Sequence, residues 1–329
     1  MPDAAEIVTR TVNEVYKTLE NAVAVGEAQQ HADGRASVFG GLSAASAAAN
    51  EKFKLGGTPS GSGQFNFTKP TGIVFLAGGE VWWDHSANTT SFKRNGDRDF
   101  YLGTAYADAT TDAILVTVDL NAQANYAIDL MRGDPFTTAI VGTQALGGLG
   151  LYQRGGLSVI LDATNEAQKV DALSVQSFAN NANGIIEIIF RVPSDGAGTV
   201  VDVSVGVASA THATDASSIT QRLFMHLDAN ATDIRFESAD GTTTVAITDS
   251  TTDYTEGATL TVQKHVWFDM RTTSSVVVYV DGVRVLSGTT FNVAAAASEW
   301  KLLLHVEKTA STDTYEFALD RLRVRTSEQ

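Results

Sequence analysis

Short apolar runs that alternate with polar residues dominate this chain, and turn chemistry separates them. "QFNFT", "GIVFL", "EVWWD", "DFYLGTAYA" and "AILVTVDLN" follow one another between Gln64 and Asn121. Residues rich in Val, Phe, Tyr and Trp at a period of two predict strands. The Asn95-Gly96 pair in "RNGDRD" is a favoured tight turn between two of them. Together they predict a small, barrel-like β-domain over residues 31–128.

The first thirty residues follow another period. Ile7, Val8, Val12, Val15, Tyr16, Leu19 and Val23 recur at three- and four-residue spacings, which predicts an amphipathic helix or arm over residues 1–30. Asp3 and Glu6 near its start would complement the helix dipole. Its stripe needs cover, either on its own domain or on a neighbouring subunit. In the second case Val8, Val12, Val15 and Leu19 are interface residues.

Residues 129–150 read as a Gly-rich connector. The Arg132-Gly133-Asp134 tripeptide within it is a surface turn before Pro135 rather than an adhesion signal. From residue 151 to 329 strands return, among them "GIIEIIFRV", "VVDVSVGVA", "RLFMHLDA", "KLLLHVEK" and "YEFALDRLRVR". Short, regular spacing of this kind predicts a β-sandwich. Its clearest hairpin is "VVVYV-DG-VRVL", in which Asp281-Gly282 supplies both positive-φ positions of a type I′ turn.

Composition then removes whole classes of function. Hydrophobic residues make up 43% and charged residues 19% of the 329, values of a globular protein. A formal charge of −15 repels phosphate backbones, so nucleic acid is not an expected partner. The absence of cysteine excludes disulfides and thiolate metal sites. No apolar run approaches the roughly 20 residues that span a bilayer. The start lacks a basic stretch followed by an apolar one, so the expectation is a soluble chain made without an export signal.

Candidate chemistry is sparse. Trp82 and Trp83 are neighbours on a strand and must point to opposite faces. They cannot form one stacking platform; one enters a core, and the outward one, assigned as Trp82, is a candidate contact. Asp84 and His85 lead into a polar turn and are not read as a dyad. His265 and His305 are strand residues, and the six histidines form no HxH or HExxH pattern. Asp162, Glu166 and Asp171 could contribute to an oxygen-ligand calcium site, against the alternative of a solvated turn. Carboxylates paired at alternate positions along one strand, as glycoside hydrolysis uses, are not found: Glu187 is alone, and Glu237 and Asp240 straddle a turn. No catalytic, cofactor or metal residue is assigned.

Two family resemblances add to this. Gly79, Val81, Trp83 and Asp84, then Leu102, Gly103, Thr104 and Ala105, then Val116, Val118 and Leu120, resemble the small β-domain of tailed-phage capsid decoration (head-stabilising) proteins. Trp267, the Tyr279–Gly282 hairpin with Asp281 and Gly282, and Asp320 in the terminal "LDRLRV" resemble concanavalin-like, laminin-G-like jelly rolls. Trp83, Asp84, Gly103, Trp267, Tyr279, Asp281, Gly282 and Asp320 are then fold-determining residues.

What the first resemblance implies is a non-enzymatic cement protein on the outer surface of a virion capsid. It would be made in the host cytoplasm, seated as a homotrimer on the major capsid protein, and would display the jelly roll outward. It implies no cofactor and no membrane. The alternative is a carbohydrate-binding, lectin-like adhesion or receptor-binding module, with surface glycans as partners.

Overall fold

The computed structural model describes residues 5–9, 15–18, 23–24, 28–30, 36–39, 46–47, 52–56, 63–147, 156–181, 183–196, 200–228, 231–296 and 299–326. The chain divides into two compact units, Met1–Asn125 and Tyr126–Gln329. Strands and three short 3-10 turns make up the regular structure of the described residues. The protein is all-β.

Among the described residues the expected N-terminal helix is not found. Ala5–Thr9 and Val15–Thr18 are strands, and so are Val23–Ala24 and Ala28–Gln30. Ala5–Thr9 pairs antiparallel with Gln64–Thr68, placing Ile7 opposite Phe65. The physical reason lies in side-chain shape. Ile7, Val8, Thr9, Val15 and Thr18 are β-branched and favour the pleated backbone. The helix-like spacing arises where two short alternations succeed each other. Val8 and Val15 stand on strands, whereas Val12 and Leu19 lie outside the described residues.

In the first unit six strands form an antiparallel sheet. Its order is Ala5–Thr9, Gln64–Thr68, Leu115–Leu120, Phe100–Ala105, Glu80–Asp84 and Thr89–Ser91. The path curls on itself: Thr89 Oγ1 and Thr90 Oγ1 of its last strand donate to Thr68 O of its second at 2.9 and 3.0 Å. Phe67, Val81, Leu102, Val116 and Val118 are buried on one of its faces. Gly103 sits at a bulge between Tyr101 and the strand Glu80–Asp84. Its φ of +153° and the 2.0 Å that would separate a Cβ from Asp119 O both require glycine.

The second unit is a sandwich of two antiparallel sheets. One runs Gln144–Gly147, Leu157–Leu161, Tyr315–Arg325, Ile185–Ser194, Lys264–Asp269, Val277–Val280 and Val283–Val285, with Ile128–Asp129 added on Tyr315–Arg325. The other runs Phe136–Val141, Glu166–Ser174, Glu299–Ser311, Val201–Ala208, Gln221–Asp228, Asp233–Asp240 and Thr244–Asp253, with Phe178–Ala179 added on Glu299–Ser311. One core fills the space between them. In it Phe190 stacks on Phe317 at 5.7 Å and Phe236 meets Phe268 edge-on at 5.8 Å.

Residues 129–150 are therefore not simply a connector. Phe136–Val141 pairs with Glu166–Ser174, and Gln144–Gly147 with Leu157–Leu161. The β-branched run Thr137, Thr138, Ile140 and Val141 outweighs the glycines that cluster after it. Arg132 ends a 3-10 turn capped by Asp129, and Gly133 closes it in the left-handed region at φ 117°.

Candidate functional site

Strands alternate their side chains, so each sheet of a sandwich turns one face to the core and one outward. On the second sheet the outward face is polar yet largely buried. Five adjacent strands each contribute a pair of polar residues two positions apart. These are Lys169 and Asp171, His305 and Glu307, Asp202 and Ser204, His226 and Asp228, and Arg235 and Glu237. Register sets Asp171 opposite His305, His305 opposite Ser204, and Ser204 opposite His226. The next row sets Lys169 opposite Glu307, Glu307 opposite Asp202 and Asp202 opposite Asp228.

Two histidines form the floor, and both are fully buried. His226 Nε2 lies 2.7 Å from Glu237 Oε1 and its Nδ1 lies 2.9 Å from Ser204 Oγ. Asp202 Oδ1 stands 3.6 Å from the same Nδ1, an ion-pair distance. His305 Nδ1 lies 2.6 Å from Asp171 Oδ1, and its Nε2 is 3.4 Å from Glu307 Oε2. Each imidazole thus sits between two carboxylates. Burial on its own would keep the rings neutral. Hydrogen bonding and charge from Asp202 and Glu237 outweigh it at His226, and from Asp171 and Glu307 at His305. The pKa of each is raised to about 9.

Glu237 is the counterpart. Burial alone would raise its carboxyl, but hydrogen bonds and charge from His226 and Arg222 carry it down to about 2. Arg222 Nε is 2.9 Å from Glu237 Oε1, and Ser217 Oγ donates to the same oxygen at 2.9 Å. The shifts of Glu237 and His226 are one interaction seen from both ends and count once.

A loop over residues 209–220 covers part of this face. Lys169 Nζ donates to His212 O at 2.8 Å, and Ala216 and Ile219 pack on Phe224 and Leu303. The loop's 3-10 turn is capped by Asp215, which accepts from Ser217 N at 2.7 Å. Asp215 is thereby carried to Asp202 and Glu307. One carboxylate oxygen from each of the three lies within 4.8 Å of the others, and all three residues are only partly buried. The mouth of the face is a group of fixed oxygen acceptors above a buried, cationic floor.

Of the residues named from sequence, Asp171, His305 and Glu237 lie on this face, and the others lie elsewhere. Trp83 is buried against Phe67, ring centroids 6.0 Å apart, whereas Trp82 is half-buried and meets Tyr101 edge-on at 5.4 Å. Asp84 organises its turn, accepting from Ser86 N, Ala87 N and Asn95 Nδ2 at 2.9 Å each. That satisfaction holds its carboxyl low despite burial. His85 turns instead to Arg98, 2.7 Å away.

In the hairpin, Asp281 and Gly282 have φ of 49° and 77°, and Trp267 lies 6.2 Å from Tyr279. Asp281 Oδ1 also accepts from His265 N at 3.2 Å. Asp320 is bound by Arg191 at 2.8 and 2.5 Å and by Gln263 at 2.6 Å. Asp162 and Glu166 share Gln168 in a turn, but Asp171 lies on the sheet face with His305, so these three are not brought together. Glu187 is held by Arg323 and Arg325, and Asp240 accepts from the turn amides of Thr242 and Thr243.

Asp202, Asp215, His226 and Glu307 were not singled out by sequence. Their signal is polar residues at alternate positions on five separate strands, which a search along any one strand does not detect.

No family model matches the chain, and no curated protein matches it. Solved structures are similar to parts of it at low identity. The carbohydrate recognition domain of Emp47p is 14% identical with a TM-score of 0.45, over 61% of this chain and 94% of that one. A carbohydrate esterase from the Shiga toxin-encoding bacteriophage phi24B is 14% identical with a TM-score of 0.35, over 59% and 90%. The LamAcat structure from Zobellia galactanivorans is 12% identical with a TM-score of 0.36, over 52% and 78%.

Proposed function

We propose that this is a carbohydrate-binding protein whose sandwich, read as a concanavalin-like jelly roll, takes a hydroxyl-rich ligand at the acid–histidine face. The observation that supports this is the convergence of Asp202, Asp215 and Glu307 within 4.8 Å at a partly exposed mouth. Carboxylate oxygens accept hydrogen bonds from sugar hydroxyls. Acceptors already held in place lose little freedom on binding. Recognition here is polar, since Phe224, an aromatic residue on that face, is buried. A glycan array probed with the full chain tests the reading. Saturable binding that Asp202→Asn weakens at least about tenfold is expected, in line with the loss of a buried or oriented polar contact. Absence of binding, binding indifferent to Asp202→Asn, or release of reducing ends from the bound glycan would contradict it.

A second reading, a capsid decoration protein on the virion surface, is favoured by Trp82. This indole is half-buried beside Tyr101, on the side of the strand opposite buried Trp83. In that reading the first unit docks on the major capsid protein as a trimer. Mass spectrometry of purified particles is then expected to give a constant ratio of this chain to the capsid protein, and its absence from particles would end the reading.

A further inference from the structure

We propose that the strand Phe136–Val141 joins a second copy of this chain edge to edge, antiparallel about a two-fold axis at Thr138. The inference rests on neither reading of function above. Phe136–Val141 ends the second sheet and pairs on one side with Glu166–Ser174; among the described residues no strand pairs with its other side. Val175 N donates to Pro135 O at 2.9 Å, which sets the alternation. Thr137, Ala139 and Val141 therefore turn their backbone groups towards Glu166–Ser174, and Phe136, Thr138 and Ile140 turn theirs to the outer edge.

Edges of this kind are normally guarded by charge, irregularity or shortness. The opposite end of the same sheet, Thr244–Asp253, carries Asp249 and Asp253, two register shifts and Thr251 at φ 57°. On the first sheet Val283–Val285 is three residues long and holds Arg284, and Gln144–Gly147 is four. Phe136–Val141 has none of these guards: its six residues carry no charge and pair without a shift. Ile140 and Val141 are exposed on it, and so is Val175 opposite Pro135.

Self-complementarity selects the occupant. Phe136, Thr138 and Ile140 stand on the core-facing side, since Thr138 and Ile140 oppose the core residues Ala172 and Val170. A two-fold axis at Thr138 sets Ile140 against Phe136 of the second copy, and Phe136 against Ile140 of the second copy. The core of each sandwich then continues into the other through an aromatic–β-branched pair that symmetry repeats. On the opposite side Val141 meets Pro135 of the second copy, with Val175 beside it. A slip by one residue would set core-facing side chains against outward ones. Charge agrees. A chain of formal charge −15 repels its copies, and approaches one most easily through a segment that carries no charge.

Analytical ultracentrifugation of the full chain should show a concentration-dependent dimer. Ile140→Lys and Thr138→Pro should each weaken association at least about tenfold. Ile140 is exposed, and proline at 138 gives up only an N–H that points away from Glu166–Ser174, so dilute samples of both should keep the wild-type unfolding midpoint. Should the proline variant fail to fold, Ile140→Lys decides alone. Val283→Lys, on the short edge of the first sheet, should change nothing. Amide exchange read residue by residue adds a signature that a contact elsewhere would not give. Thr138 and Ile140 should gain protection in the dimer, whereas Thr137 and Ala139 should be protected in monomer and dimer alike. A chain that stays monomeric up to about 0.1 mM, or oligomers that the edge variants leave intact, would overturn the proposal.

Discussion

Glu237→Ala is expected to destabilise the protein by about 3–5 kcal/mol, the usual result of removing one partner from a buried charge cluster. Glu237 is 1% exposed; its Oε1 lies 2.7 Å from His226 Nε2 and is ion-paired with Arg222 Nε at 2.9 Å. Alanine leaves the buried guanidinium without that carboxylate. His226 can shed its proton, but Arg222 cannot. Glu237→Gln should lose less, because the amide oxygen still accepts.

The same residue sets an acid limb. Its folded pKa of about 2 lies below the ordinary carboxylate value of 4.5. The stability it contributes is therefore complete above pH 4.5 and is lost as pH falls through about 2. A shift of this size is worth about 3 kcal/mol. Denaturant unfolding should show the difference between wild type and Glu237→Ala at pH 6, and the two should converge as the solution is acidified. A constant difference across that range would contradict the assignment.

Glu187→Ala should cost a similar amount, about 3–5 kcal/mol, on the other sheet. Glu187 Oε2 lies 2.7 Å from Arg323 Nε and Oε1 lies 2.8 Å from Arg325 Nε. Tyr126 donates to Oε2 at 3.2 Å, and its ring lies 4.0 Å from the Arg323 guanidinium carbon. Burial opposes ionisation of Glu187, but the charges of Arg325 and Arg323 prevail and its pKa is lowered. Removing the carboxylate withdraws the charge that both guanidinium groups face. Replacing all three residues by leucine should recover much of the loss, since the desolvation of the ions disappears with them. Denaturant midpoints of the single and triple variants decide this. A triple variant no more stable than Glu187→Ala would mean that the three side chains do not act as one electrostatic unit.

Much of the fold was legible because its signals are local. Alternation within "VVDVSVGVA" or "KLLLHVEK" declares a strand without reference to the rest of the chain, and Asp281-Gly282 declares its turn by backbone preference. The N-terminal segment misled because three- and four-residue spacings also arise when short strands succeed each other. Only the β-branched content of "AEIVT" and "VYKT" argued against the helix. Residues 129–150 misled for the opposite reason, since their glycines drew attention from "FTTAIV". The site lay further out of reach. Asp202 and Glu307 stand more than a hundred positions apart, and nothing in either neighbourhood marks them as partners. They meet because the strands that carry them are neighbours in the sheet, a fact of topology that no local pattern contains. Asp215 arrives on a loop whose path is set by Lys169, Phe224 and Leu303. Carboxylates sought along one strand are in this protein assembled across three segments.

The most direct test of the account is hydrogen exchange of the full chain with and without a saturating glycan identified on the array. New protection is expected in residues 200–218 and 302–308, the two stretches that carry Asp202, Asp215 and Glu307. Protection confined to residues 64–120 would contradict it, and would move the site from the sandwich to the face that carries Trp82.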